Sequence, residues 1–343
     1  MANRPSIPAQ AQALWITSAR CAELRSEPLH APATDEVLVQ TLYSGISRGT
    51  ERLVFEGRVP ESEYVRMRAP FQAGDFPYPV KYGYANVGRV IAGSQTLRGQ
   101  SVFSLYPHQD FFVVPSDCVQ ILPAELPPAR AVLAANMETA LNGVWDAQLR
   151  AGDRVCVIGA GVVGCLVAYL AARHPGCEVQ LVDSDPRKRA TAETLGVGFA
   201  LPSALPRECD VVVHASGAAS GLRSALEAAG LEARVVELSW YGDSEVTLPL
   251  GAAFHSRRLS LRSSQVGRVP SAQAPRWSTQ RRLALALRLL CDARLDALIS
   301  DQSPFSAGPE VLRALFCSRA DSRASTSASE QFALCHRLHY ETP

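Results

Sequence analysis

The rhythm of hydrophobic and polar positions changes near residue 150. Before it, short apolar runs such as EVLVQTLYSGI, VGRVIAG, QSVFSLYP and FFVVP are broken by Gly and Pro. That spacing predicts the strands of a small barrel or sandwich. The Pro-rich stretch ILPAELPPARA (121–131) reads as a connector leading into a helix. From Ala151 the runs lengthen and alternate. DRVCVIGAG predicts a strand ending in glycines, VVGCLVAYLAARH a helix, EVQLVD a strand, and PRKRATAETLG a helix closed by Gly196. CDVVVHASG, GLRSALEAAG and ARVVELSW continue as strand, helix and strand. Strands alternating with helices predict a parallel, doubly wound sheet. QRRLALALRLLCDARL (280–295) is an amphipathic helix by its 3.6-residue period. VLRALFCS predicts a helix and FALCHRLHY a last strand, with the polar segment SRADSRASTSASE between them as a mobile loop. There is no internal repeat.

Composition narrows this little. The 343 residues suggest two domains, and 47% hydrophobic with 20% charged residues is ordinary for a chain with sizeable cores. A net charge of +1 gives no field that would favour nucleic acid or an acidic membrane surface. No apolar stretch reaches the ~18 residues of a spanning helix. The opening MANRPSIPAQAQALW lacks the basic and apolar regions of a signal peptide, so a cytoplasmic protein is expected. The nine cysteines are scattered, with no C-x-x-C pair. They read as small buried thiols rather than a disulfide framework or zinc knuckle.

The sharpest chemical motif is Gly159-Ala160-Gly161-Val162-Val163-Gly164, which follows a predicted strand and opens a predicted helix. The first glycine would make the turn, the second would let backbone approach a pyrophosphate, and the third would allow close helix–strand packing. The helix N-terminus, with Val162 and Val163, offers N–H groups to phosphates. Asp183, at the end of the next strand, would accept hydrogen bonds from ribose hydroxyls, with Ser184 and Lys188 beside it. Its charge repels a 2′-phosphate, which favours NAD(H) over NADP(H). Arg187 and Lys188 read either as a solvated helix start or as a 2′-phosphate clamp.

A β-rich start, a dinucleotide fold and a tail returning to the first part resemble the medium-chain dehydrogenase/reductase superfamily over nearly the whole chain. YSGISRGTE (43–51) looks like the family's G-x-C-G-x-D segment, and PVKYGYANVGRV (79–90) like its P-x-x-x-G-H-E-x-x-G-x-V. NMETALNGV (136–144) looks like the segment carrying its cofactor-contacting threonine. GISRGTERLVFEGRVP most resembles bacteriochlorophyllide a dehydrogenase and related proteins. The resemblance implies an α/β chain: a GroES-like β-rich barrel domain (1–122 and 300–343) and a Rossmann doubly wound parallel sheet (123–299). It implies an oxidoreductase passing hydride between a nicotinamide and a secondary alcohol or ketone of a small molecule held between the two domains. A homodimer through the edge strand near 260–268 is expected, because an exposed apolar edge there would otherwise be a liability. By motif position Thr139 would touch the nicotinamide end, Arg48 the pyrophosphate, and Ser216, Gly217 and the strand end 238–240 the cofactor path.

The departures are informative. The family's zinc ligands align with Ser47 (or Arg48), with Tyr84-Ala85 and with a position near Ala135, none of them a normal zinc ligand. No metal is therefore expected. Without a Lewis acid, another group must stabilise charge on the reacting oxygen. Tyr84 is the candidate acid, with Lys81 as a possible tuner of its pKa and Ser47 and Glu51 as a relay; the alternative is that Tyr84 only fills the vacated space. His108, His214, His255 and Glu138 are further candidates, with buried or surface structural roles as the plainer readings. In the insertion PESEYVRMRAPFQAGDF, Tyr64, Arg66 and Arg68 could grip an anionic or aromatic substrate. Two rival readings stay open: reduction of an activated C=C bond or quinone, and a non-catalytic NAD-binding sensor.

Overall fold

The computed structural model describes residues 8–317 and 334–341. The segment 318–330, expected as a loop, lies outside them. The chain divides into two compact units, Met1–Ala135 with Ile299–Pro343, and Asn136–Leu298.

The first unit is built on the long strand Glu36–Ile46, whose residues alternate between two packed faces. It pairs antiparallel with Asn86–Gly93, with Phe111–Pro115 and, near its end, with Cys335–His339. Val37, Val39, Val90, Val102, Phe112 and Val114 form the core beneath it. The returning tail thus adds the expected last strand, flanked in parallel by Ile299–Pro304. A second, four-stranded sheet carries Cys21–Pro28, Gln10–Ser18, Val80–Lys81 and Ala73–Gly74 in that order. The unit also keeps residues 123–135, which the resemblance placed with the second domain. The cause is packing: Gly45 lies so close to Val132 that a Cβ there would stand 3.0 Å from the Val132 carbonyl oxygen.

The second unit is a six-stranded sheet, parallel throughout. Its order is Gly198–Ala200, Glu178–Val182, Arg154–Ile158, Cys209–His214, Ala229–Glu237, Ser260–Ser263. In sequence terms this is 3-2-1-4-5-6, with the order reversing between Arg154–Ile158 and Cys209–His214. Ligands of doubly wound sheets bind at such a switch point, outside the strand C-termini. The helices Val162–Ala171, Arg189–Leu195 and Ala219–Ala228 follow the expected alternation, and Gly196 (φ 75°) closes the second of them. The amphipathic stretch 280–295 is helical only over Thr279–Leu289, capped by the Ser278 hydroxyl on the Arg281 N–H. A 3₁₀ turn, Ala293–Leu298, follows it.

A buried polar staple ties this unit together. Arg282 is 3% exposed and donates to Glu138 Oε1 (3.0 Å), Asn142 Oδ1 (2.6 Å) and the Val266 carbonyl (2.7 Å). Burial raises the Glu138 pKa while the guanidinium opposes it. Glu138 therefore has a fixed structural partner, which removes it as a candidate base. Replacing Arg282 with Met should destabilise the protein by about 3–5 kcal/mol, because it leaves a buried carboxylate unpaired. Adding Glu138→Gln to that variant should recover part of the loss; urea unfolding of the single and double variants measures both.

Candidate functional site

Two constellations carry the candidate chemistry, one in each unit. In the second, the strand Arg154–Ile158 runs straight into the glycine turn. Gly159 has φ 104°, a backbone state that side-chain-bearing residues rarely adopt. Gly164 is required by contact, since a Cβ there would stand 1.8 Å from the Gly159 carbonyl oxygen. Gly161 differs: a Cβ built on it would meet nothing within 4 Å among the described residues. It caps the helix Val162–Ala171 without any side-chain hydrogen bond to the free N–H groups of Val162, Val163 and their neighbours. A bare helix N-terminus facing open space fits a phosphate. The cradle therefore fits a dinucleotide.

Asp183 stands beside this turn. Its carboxylate accepts from the Ala160 N–H (2.7 Å), the Asp185 N–H (2.9 Å) and the Lys188 ammonium (3.2 Å). Lys188 thus partly neutralises the charge expected to repel a 2′-phosphate. Arg187 folds back onto Asp185, with its Nε 2.9 Å from Oδ1 and Nη2 2.6 Å from Oδ2, and Ser184 is exposed between them.

Across the switch point, Ser216 and Gly217 close the loop after Cys209–His214. His214 is fully buried: its Nδ1 lies 2.8 Å from Glu237 Oε2 and its Nε2 2.6 Å from the Ser216 hydroxyl. The Tyr241 hydroxyl and the Ser239 N–H also donate to Glu237. The histidine orients the exposed Ser216 rather than projecting on its own. Thr139 lies half-buried on the helix Ala134–Ala147, and His255 is exposed after the irregular turn Leu250–Phe254.

In the first unit, Tyr84 sits where the sequence placed it, hydrogen-bonded through its hydroxyl to the side chains of Ser47 and Thr50. Burial, then the nearby Glu51 charge, pushes its phenol up to about 12. Glu51, 3% exposed on the short helix Thr50–Phe55, accepts from the Ser47 N–H at 2.8 Å. Ser47, Glu51 and Tyr84 are therefore brought together, and Arg48 lies half-buried in the same turn. Tyr82 packs against Phe76 (5.8 Å between ring centroids) and edge-on to Tyr84 (6.0 Å).

Lys81 is not part of this group. Its ammonium is buried against Glu27 Oε2 (2.6 Å) and Gln109 Oε1 (2.8 Å), in the other sheet. The expected tuning of Tyr84 by an ammonium is corrected: the charge beside the phenol is a carboxylate, and it raises the pKa instead of lowering it. Nor do the insertion's arginines stand ready for an anion. Arg66 pairs with Glu63, and Arg68 with Asp75 and the Gly74 carbonyl, pinning the loop to itself.

His108, the least specific of the sequence candidates, is the residue the structure places centrally. Its Nε2 lies 3.0 Å from Glu51 Oε2 and its Nδ1 2.7 Å from the Ser44 hydroxyl. Ser44 in turn lies 2.8 Å from the Tyr340 hydroxyl. Gly83 (φ 128°) makes room for the ring, since a Cβ there would stand 2.9 Å from His108 Cδ2. Ser44 and Tyr340 carried no sequence signal; only the pairing of Cys335–His339 with Glu36–Ile46 brings them together. At the aligned zinc positions stand Ser47, Tyr84, Ala85 and Ala135. Among the described residues no group of three His, Cys, Asp or Glu could hold a metal ion. This donor set does not fit zinc.

No family model matches the chain. It is 25% identical over 329 residues to D-guloside 3-dehydrogenase of Escherichia coli K12, covering 87% of this chain and 93% of that protein. Its fold matches the crystal structure of L-idonate 5-dehydrogenase from E. coli K-12 (TM-score 0.76, 18% identity, 96% of this chain and 98% of the other). It also matches a protein from Sinorhizobium meliloti 1021 solved bound to NADP (TM-score 0.73, 19% identity, 97% and 100%). The fold is that of the medium-chain dehydrogenases, a GroES-like unit with a Rossmann-type parallel sheet.

Because its pKa is raised, Tyr84 holds its proton more tightly folded than unfolded. Its contribution to stability is complete below pH ~10, the ordinary phenol value, and is lost as pH rises toward about 12. Tyr84→Phe should make the alkaline fall of stability shallower across that window. Urea midpoints at stepped pH measure the slope, and an unchanged slope would contradict the assigned environment.

Proposed function

We propose that the chain is a zinc-independent, nicotinamide-dependent oxidoreductase acting on a secondary alcohol or ketone of a polyhydroxylated small molecule, with NAD(H) favoured. An enzyme of the medium-chain dehydrogenase/reductase class is what the similarity and the fold support. The observation that carries the finer reading is the hydroxyl cluster Tyr84–Ser47–Thr50 at the aligned zinc positions, backed by Glu51. The substrate class rests on the relatives' names, a guloside and an idonate, both rich in secondary hydroxyls. Closeness to the bacteriochlorophyllide branch rests on the residues after Gly45 and assigns no substrate.

A bound nicotinamide would accept or deliver the hydride. Gly159, Gly161 and Gly164 would hold its pyrophosphate against the helix N-terminus, and Asp183 its adenosine ribose. Thr139, Ser216 and Gly217 would line its path. Tyr84 acts as a neutral donor: its hydroxyl would hydrogen-bond the reacting oxygen as charge develops there, and Ser47 and Thr50 would orient it. A phenol held near pKa 12 is a poor proton acceptor at neutral pH, so the role is stabilisation of an oxyanion. The edge strand Ser260–Ser263, paired on one side with Ala229–Glu237, supports a homodimer through that edge.

Calorimetric titration with NADH and NADPH, with a zinc assay on the same sample, tests the reading. NADH should bind more tightly and zinc should be substoichiometric; stoichiometric zinc, or binding of neither cofactor, would overturn it. Asp183→Asn should narrow the NADH/NADPH preference, and Lys188→Ala should widen it by removing the neutralising ammonium. In turnover screens with glycosides and polyols, Tyr84→Phe should lower kcat about 10²–10³-fold while leaving NADH affinity unchanged.

A further inference from the structure

The tyrosine beside the candidate donor has a hydroxyl that the protein leaves free. Tyr82 is 5% exposed, and its ring is fixed from two sides, by Phe76 at 5.8 Å and edge-on by Tyr84 at 6.0 Å between centroids. Tyr64, from the insertion, extends the row by packing on Phe76 at 5.7 Å. Gly83, with φ 128° and its bare Cα set against His108, turns the backbone between the two phenols. Buried phenols ordinarily bond a neighbour. The Tyr84 hydroxyl does so, with Ser47 and Thr50. The Tyr82 hydroxyl has no hydrogen-bond partner among the described residues. Nor is it sealed away, as the unpartnered Arg52 Nε and Gln72 Nε2 of the same unit are. Burial is the main cause that raises its pKa, and Tyr84 and then Glu51 add to the rise, so the hydroxyl stands within electrostatic reach of the candidate cluster. It is a fixed, accessible group free to meet a ligand oxygen. The neighbouring ammonium of Lys81 is engaged by Glu27, and a phenol both donates and accepts, which matches a neutral hydroxyl.

We propose that Tyr82 is a specificity-determining residue: with Tyr84 on the reacting oxygen, the Tyr82 hydroxyl holds the hydroxyl of the adjacent carbon, so that the substrates are vicinal diols and the corresponding α-hydroxy ketones. The proposal rests on the reading of Tyr84 as the donor to the reacting oxygen, and deepens it by naming the substrate class. Recognition works by exclusion as much as by attraction. An analogue without the second hydroxyl covers the phenol and leaves it unpaired, and a site built to bond a hydroxyl rejects molecules that lack it. Phe76 and Tyr84 keep the ring from swinging away to another partner.

Three probes differ in this one feature: cyclohexanol, the cyclohexanediol with adjacent hydroxyls, and the cyclohexanediol with opposite hydroxyls. Their binding to the full chain saturated with NAD is measured by ligand-observed NMR. The parent should bind the adjacent diol about 10-fold or more tighter than either other probe, and in Tyr82→Phe the three affinities should agree within about twofold. NADH affinity should be the same in both proteins. Because the hydroxyl has no protein partner, Tyr82→Phe should unfold in urea at the parent midpoint, whereas Tyr84→Phe, which loses its bonds to Ser47 and Thr50, should unfold earlier. A parent without a preference for the adjacent diol, whether it binds all three alike or none, would overturn the proposal. So would a preference that survives Tyr82→Phe, weaker NADH binding in that variant, or a lowered urea midpoint. Full turnover in Tyr84→Phe would instead sink the reading of Tyr84 and leave the diol contact standing.

Discussion

The first unit is organised around one burial problem, the carboxylate of Glu51. Taking such a charge out of water costs several kcal/mol unless hydrogen bonds replace the solvent. The fold supplies them from three directions: the Ser47 N–H in the turn before the helix, His108 from a loop, and behind it Ser44 and Tyr340 from paired strands. The cost of that arrangement appears elsewhere. Gly83 must be glycine to admit the imidazole, and Tyr84 must share its hydroxyl with Ser47 and Thr50. Burial, and then the Glu51 charge, raise the Tyr84 phenol.

The second unit solves a different problem, that of bringing backbone close enough to hold a phosphate. Its glycines divide the labour. Gly164 permits helix and turn to touch, Gly159 turns the chain, and Gly161 leaves a space. Asp183 and Lys188 sit beside that space as an ion pair, so the electrostatic preference there is a difference between two opposed charges rather than the effect of one. Across the switch point His214 and Glu237 fix Ser216 with the same economy as His108 and Glu51: a buried imidazole joins a carboxylate to a hydroxyl.

Much of this was legible in the chain. The alternation of strands and helices after Ala151, the glycine turn and the Gly196 cap are local patterns, set by residues within a few positions of one another, and they stand where the periodicity put them. The grouping of Ser47, Glu51 and Tyr84 was implied by the family resemblance. Partnerships were another matter. Lys81 and Tyr84 are near neighbours in sequence, but Lys81 ends a strand of the four-stranded sheet and Gly83 turns the backbone before Tyr84, and Lys81 found Glu27. Glu138, read as a possible base, found Arg282 far along the chain.

Local physics, namely hydrophobic period, turn chemistry and the space a missing Cβ leaves, is written in neighbouring residues, and it sufficed for the elements, the parallel sheet and the phosphate cradle. The state of a buried charge depends on which atoms surround it, and those come from anywhere in the chain. Ser44 and Tyr340, 296 positions apart, meet only because the last strand returns to pair with Glu36–Ile46. That pairing, and not any motif, brings Tyr340 to the hydroxyl that His108 meets on its side away from Glu51.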